Sequence, residues 1–388
     1  MKTGKRTRRA FAGGIGAALA ATAAKGSAQI NPQASVAVVC PLSGPESQAG
    51  TQLANGVRGA LDDANGTRGL FDRFWSLRTF DDQGTMAQAL LEAQFAINDL
   101  NQSAAIGHLG GKITNQLVRQ YANAAMPLIV PATTLDSITQ QGYRNVFRLP
   151  TKDTTEGILH ARYVKKENRG KKIAVVSADG ADYGPAVAFA FYKQTGGDGL
   201  TPFDARFPAD RPDFDALARR IVAQGADLVF LSGLARDLGP LIPALRGAGY
   251  GGQFDGPSGF FDGALVPSYG SAVEGLTVST SMPPLQIVPQ AMAIKQNYEQ
   301  HYGPMGPLAA FGYAATQMFV AAIRRGSTIA RLGVMRTLAQ PIAFDTIVGS
   351  FTFDAYGDAN DPNVYFYQLQ GGNWHYVRAA HPSGFIVR

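Results

Sequence analysis

Short apolar runs alternate along this chain with stretches whose apolar positions recur every three or four residues. Val36-Ala37-Val38-Val39-Cys40 is one such run and predicts a buried strand. In the stretch 46–64, Ala49, Leu53, Val57, Ala60, Leu61 and Ala64 fall on one face of a helix. Strands are expected at 75–80, 105–109 and 128–130. Helices are expected at 85–100, with Thr85 as its cap, and at 114–124. This alternation predicts parallel β-α-β units, with helices on both faces of a sheet.

The pattern then restarts. Helices at 153–166, 184–193, 214–223 and 238–246 alternate with strands at 172–177, 202–207 and 227–231. Two runs of one alternation imply two similar lobes. A helical block follows (288–301, 308–324, 328–338), and the chain closes with strand-like pieces at 347–353, 364–369 and 374–378. Helices and strands placed so late imply that C-terminal chain completes both lobes. The expected division is 34–150 with 282–347 for the first lobe and 151–281 with 348–388 for the second, with crossovers near 149–153, 277–283 and 346–350.

The charge of +6 changes meaning once the first 28 residues are set apart. Thr7-Arg8-Arg9-Ala10-Phe11 matches a twin-arginine export motif. The mildly apolar run 10–24 follows, and Gly26-Ser27-Ala28 offers small residues for cleavage. A disordered basic tail is the alternative. The segment holds six Lys and Arg and no acid, so its removal takes Lys+Arg from 35 to 29, level with the 29 Asp+Glu. A near-neutral remainder argues against a surface that tracks nucleic acid. No later stretch reaches eighteen consecutive apolar residues, so no membrane span is expected. Cys40 is the only cysteine, which excludes an intrachain disulfide; its place in an apolar run predicts a core residue.

Motifs that resemble catalytic ones fail on context. Gly247-Ala248-Gly249-Tyr250-Gly251-Gly252 satisfies G-x-G-x-x-G but follows an expected helix, the reverse of dinucleotide-binding order, and predicts a helix-ending turn. Gly110-Gly111-Lys112 resembles the end of a phosphate loop, yet Ile106 and Ile113 stand where that loop needs Gly and Ser or Thr. Gly256-Pro257-Ser258-Gly259 lacks the last glycine of a nucleophile elbow. The five histidines show no metal-ligand spacing. Asp81-Asp82 offers acid–base chemistry or, the plainer expectation, a loop or cap role. No catalytic constellation, metal site or cofactor is expected.

In doubly wound sheets, ligands sit beyond the carboxyl ends of the strands. The loops there offer Ser43, Gly111, Lys112, Thr133, Thr134 and free backbone N–H groups from one lobe. The other lobe offers Tyr183, Arg236 and Ser258. Clustered neutral donors suit a carboxylate, because each hydrogen bond to a charged group contributes roughly 1.5–3 kcal/mol against its desolvation. A solvated role is the alternative for Lys112, and pairing with Asp237 or solvent is the alternative for Arg236.

These segments carry a resemblance. Leu42-Ser43-Gly44-Pro45 with Asn55-Gly56-Val57, Phe80-Asp81-Asp82 and Ile106-Gly107-His108-Leu109 occur in order. Val130-Pro131-Ala132-Thr133-Thr134, Thr139-Gln140-Gln141-Gly142-Tyr143, Tyr183-Gly184 and Gly256-Pro257-Ser258-Gly259 then follow. Behind an export signal, that order resembles the leucine/isoleucine/valine-binding proteins, periplasmic solute receptors of branched-chain amino-acid ABC importers. The resemblance spans nearly the whole chain after the leader.

It implies an α/β fold of two doubly wound lobes (a type I periplasmic-binding-protein fold) joined by three hinge crossovers and closing on a ligand. It also implies a periplasmic monomer that serves ABC permease subunits and is not an enzyme. By resemblance, Gly111, Ala132 and Thr134 hold a ligand carboxylate and Tyr183 approaches from the other lobe. Ser258 stands where the family places a glutamate for the ligand's ammonium, and Ala49 where leucine-type binders place a bulky aromatic. With Lys112 and Arg236, these departures point toward a carboxylate without an amine. A receptor of the same fold that feeds a signalling partner is the rival reading.

Overall fold

The computed structural model describes Met1 and residues 33–67, 74–196, 199–210 and 212–386. The expected leader, residues 1–28, lies outside the described residues apart from Met1.

The first lobe begins with β1 (Ala34–Cys40), α1 (Ser47–Gly66), β2 (Trp75–Asp81), α2 (Met86–Asn98), β3 (Gln102–Gly107), α3 (Gly111–Asn123), β4 (Leu128–Val130) and β5 (Val146–Arg148). The five strands form one parallel sheet in the order β2-β1-β3-β4-β5. Val36, Val38 and Cys40 of β1 enter one core, and Ala37 and Val39 enter the core on the opposite face. The run is apolar throughout because both faces are covered. Cys40 is fully buried, as expected. Thr85 caps α2 by accepting from the Gln88 N–H at 3.4 Å.

The second lobe continues with α4 (Asp153–Lys166), β6 (Lys172–Val176), β7 (Ala178–Asp179), α5 (Pro185–Thr195), β8 (Thr201–Asp204), β9 (Phe207–Pro208), α6 (Phe214–Ala223) and β10 (Leu228–Leu231). Next come α7 (Ala235–Leu238), α8 (Leu241–Gly247), β11 (Gln253–Gly256), α9 (Leu265–Tyr269) and β12 (Thr277–Thr280). Its parallel strands run β8-β6-β10-β11-β12, the same order as in the first sheet. The helix expected at 238–246 is two helices, because Gly239-Pro240 interrupts it and proline cannot donate within a helix. The glycine-rich stretch after α8 is a helix-ending turn, with Gly249 at φ +88°.

The chain then returns to the first lobe with α10 (Ala291–Tyr302), α11 (Pro307–Gly326), α12 (Arg331–Leu338) and a hairpin of β13 (Phe344–Thr346) and β14 (Gly349–Phe351). It ends on the second sheet, where β15 (Val364–Gln370), β16 (Asn373–His381) and β17 (Gly384–Ile386) add antiparallel. The expected boundary at 347/348 falls inside the hairpin. Ile347, Val348 and Phe353 are buried in the first core, so the chain leaves that core only after Phe353.

The helices α1 and α11 meet backbone to backbone. A Cβ on Gly56 would lie 2.0 Å from the Ala309 carbonyl oxygen, and one on Gly312 would lie 2.6 Å from that of Leu53. Only glycine permits this approach.

Thr151 gathers the three passages between the lobes. Its N–H donates to Ser281 Oγ at 2.8 Å, and its hydroxyl donates to the Asn363 carbonyl at 3.2 Å. Beside it, buried Arg148 donates from Nε to Asp358 at 2.9 Å, from Nη1 to the Leu135 carbonyl at 2.7 Å and from Nη2 to Thr139 Oγ1 at 2.9 Å.

Candidate functional site

The carboxyl ends of the parallel strands in the two sheets carry the loops that meet between the lobes. On the first-lobe side, Gly110 caps α3 in an extended conformation, so the helix starts three residues earlier than expected and its first N–H groups face outward. The Asp182 carboxylate, from the loop between β7 and α5, fills that position. The Gly111 N–H donates to one of its oxygens at 2.7 Å and the Lys112 N–H to the other at 2.8 Å. The Lys112 ammonium donates to the Gly180 carbonyl at 2.9 Å, in the same second-lobe loop. Chain positions 70 residues apart are thus joined across the lobes.

The next loop holds Ala132, Thr133 and Thr134. The hydroxyl of Thr134 hydrogen-bonds the Asp153 carboxylate at the start of α4, and its carbonyl accepts the Asp153 N–H at 2.9 Å. The hydroxyl of Thr133 is buried and has no partner. Burial raises the Asp153 carboxyl to about 6 against the Thr134 bond, with Asp136 and Asp182 adding to the rise and Arg148 opposing it.

One turn along α4, buried Glu156 organises the second-lobe wall. Its Oε1 accepts from the Ser258 N–H and the Ser279 hydroxyl, both at 2.8 Å. Its Oε2 accepts from the Ser258 hydroxyl at 3.0 Å and the Tyr183 hydroxyl at 3.4 Å. The single Tyr183 hydroxyl proton goes either to Glu156 or to Ser258 Oγ, which lies nearer at 2.9 Å. Burial raises the Glu156 carboxyl to about 7, held back by the bonds from Ser279 and Ser258 and pushed further by Asp153. The tyrosine ring lies on Gly259, where a Cβ would come within 2.6 Å of it.

Two expected residues point elsewhere. The Ser43 hydroxyl and N–H both engage Asp81, which also accepts from Leu42 and Gln83. Burial raises the Asp81 carboxyl, but these bonds outweigh it and hold the group below the ordinary carboxylate range. The guanidinium of Arg236, half exposed, pairs with Glu46 of the first lobe at the rim. Asp81-Asp82 thus has the loop role expected of it. Asp82 accepts from the Gly84 N–H at 3.0 Å and pairs with buried His108 at 2.6 Å, whose other ring nitrogen meets the Tyr121 hydroxyl at 3.1 Å.

Asp153, Glu156 and Asp182 were not expected. Asp153 and Glu156 look like ordinary first-turn helix acids, and Asp182 like a loop residue; only the fold brings them to the cleft. An open groove of about 440 Å³ runs between the start of α1 and the end of α10, lined by Leu42, Gln48, Thr51, Tyr298 and Tyr302 among others; none of the expected ligand residues borders it. Among the described residues, no cluster of His, Cys, Asp and Glu is arranged to hold a metal. No single helix among them is long and apolar enough to cross a membrane.

Comparison with known proteins bears on the family and the fold. A family model described as "Periplasmic binding protein" matches residues 33–373. The leucine-specific-binding protein of Salmonella typhimurium is 29% identical over 326 residues, covering 83% of this chain and 87% of that protein. A leucine binding protein of Thermotoga maritima superposes with a TM-score of 0.82 at 22% identity, over 90% of this chain and 99% of that one. A solute binding protein of an ABC transporter from R. palustris, solved in complex with benzoate, superposes with a TM-score of 0.79 at 21% identity, over 91% of this chain and 97% of that one. The chain belongs to the periplasmic binding protein family and, within it, is leucine-binding-protein-like.

Proposed function

We propose that the protein is the exported receptor of an ABC importer. It binds a small carboxylate-bearing ligand, a branched-chain amino acid or a related acid or amide, by closure of two hinged lobes. The observation that carries this reading is the paired N–H groups of Gly111 and Lys112, set 2.7 and 2.8 Å from the two oxygens of one carboxylate. A seat that holds an aspartate side chain in this way has the geometry for a ligand's acid group. Thr134 lies near it, and Tyr183 and Ser258 line the opposing wall.

The state of Glu156 favours acids without an amine. It accepts from Ser258 twice and from Ser279, and the Tyr183 hydroxyl stands by as an alternative donor, so neutral groups already use its lone pairs. An ammonium would have to displace some of them. Related proteins bind both kinds of ligand, leucine in one case and benzoate in another.

Closure of the lobes on ligand makes a two-lobe surface for permease subunits in the inner membrane, and the ligand leaves chemically unchanged. No enzymatic step, nucleic acid or cofactor enters, and the protein acts as a monomer. The leader directs it to the periplasm by the twin-arginine route. A thermal-shift panel of leucine, isoleucine, valine, benzoate and aliphatic acids, run beside native mass spectrometry of protein purified without refolding, tests the reading. Stabilisation by amine-free acids is expected. Stabilisation by the amino acids alone would reject the amine-free preference, and no response to any acid would reject the carboxylate seat.

A further inference from the structure

The N-terminus of α3 is already engaged by a carboxylate of the chain itself. Asp182 belongs to the second lobe, yet both its oxygens are bound by first-lobe N–H groups. The carboxylate lies against the start of the helix, 3.5 Å from where a Cβ on Gly110 or Gly111 would stand, an ordinary packing distance. The loop that presents Asp182 is held from behind. Gly184 at φ +113° sits so close to Ser232 that a Cβ there would lie 2.2 Å from its carbonyl oxygen, and Tyr183 is fixed on Gly259 and Ser258. In the adjoining strand-end loop, the buried Thr133 hydroxyl remains without a partner.

We propose that Asp182 is an affinity-setting residue: an internal competitor that occupies the ligand's carboxylate seat and thereby draws the lobes together before ligand arrives. This rests on the carboxylate reading of the site. A ligand acid then exchanges with an acid already seated, so it gains only the difference between the two sets of bonds. Lys112 contributes the flanking bond to Gly180, which a seated ligand need not break.

The test compares wild type with D182A and D182N, each stripped of ligand by unfolding and refolding. The readouts are small-angle scattering without ligand and calorimetric titration with benzoate and with leucine. D182A is expected to be more extended than wild type without ligand. It is also expected to bind the acid that wild type binds about tenfold more tightly, as when a latch holds nine molecules in ten shut. D182N, which keeps one oxygen but no charge, should fall between. Identical scattering from wild type and D182A would overturn the proposal whatever the acids do, and so would expansion with unchanged or weaker acid binding. If D182A expands while neither variant binds any acid, the carboxylate reading of the site fails and competition fails with it, whereas the hold of Asp182 on the lobes stands.

Discussion

Glu156 receives both the N–H and the hydroxyl of Ser258, at 2.8 and 3.0 Å, although the two residues are 102 positions apart. The serine does not stand alone on the cleft wall. It is one member of a cluster with Tyr183 and Ser279, arranged around a single buried acid.

That acid makes stability depend on pH in a definite direction. Burial lifts the Glu156 carboxyl from 4.5 in the unfolded chain to about 7 in the folded one. Between these values the folded protein holds the extra proton. The contribution is therefore greatest below pH 4.5 and is lost as pH rises through about 7. A shift of this size corresponds to about 3 kcal/mol. E156Q keeps the shape and removes the charge, so its urea-unfolding profile should lack much of the fall seen for wild type between pH 5 and 7. An unchanged slope would refute the assignment.

Replacing Arg148 tests the hinge region. The guanidinium is fully buried and serves Asp358, Leu135 and Thr139 at once, binding the first passage between the lobes to the third. R148A leaves Asp358 with the Thr139 hydroxyl at 3.1 Å and, as its one cation, Lys152 at 3.4 Å. The expected cost is about 3–5 kcal/mol in equilibrium unfolding, the range for breaking a buried pair. A loss under 1 kcal/mol would show that the contact is not maintained in solution.

Removing one hydroxyl separates wall from seat. Y183F loses the bonds to Ser258 and Glu156 but keeps the ring on Gly259. Stability should fall by about 1 kcal/mol. Ligand affinity, read by calorimetry with the acid found in the panel, should fall several-fold. Unaltered affinity would mean that this side of the cleft does not face the ligand.

The leader makes a separate claim. R8K combined with R9K keeps the charge and alters the motif. Cell fractionation should find this variant retained in the cytoplasm and wild type in the periplasm. Export of the double variant at the wild-type level would exclude the twin-arginine route.

The architecture was legible because it rests on local pattern. Alternating runs marked the strands, and their repetition marked two lobes that share one strand order. Elements were missed or misjudged where pattern is short or interrupted. Val146–Arg148 is only three residues long, and Gly239-Pro240 splits a helix that otherwise looks continuous. At the site, position was readable and direction was not. The named residues do stand in loops beyond the strand ends, but Ser43 turns to Asp81, Lys112 to Gly180 and Arg236 to Glu46. Each of these partners is set by how distant segments dock, which no local spacing encodes. The same holds for Asp182 and Glu156, whose partners lie 27 to 123 positions away.

The glycine contacts between α1 and α11 carry a consequence for biosynthesis. Gly56 has to rest on Ala309 and Leu53 on Gly312, so α1 stays without α11 until some 250 residues more have left the ribosome. The lobe that begins first is finished late, and the intervening lobe can mature before it. A ribosome stalled short of residue 326 would therefore display α1 with its apolar stripe uncovered, a target for chaperones that the full-length chain conceals.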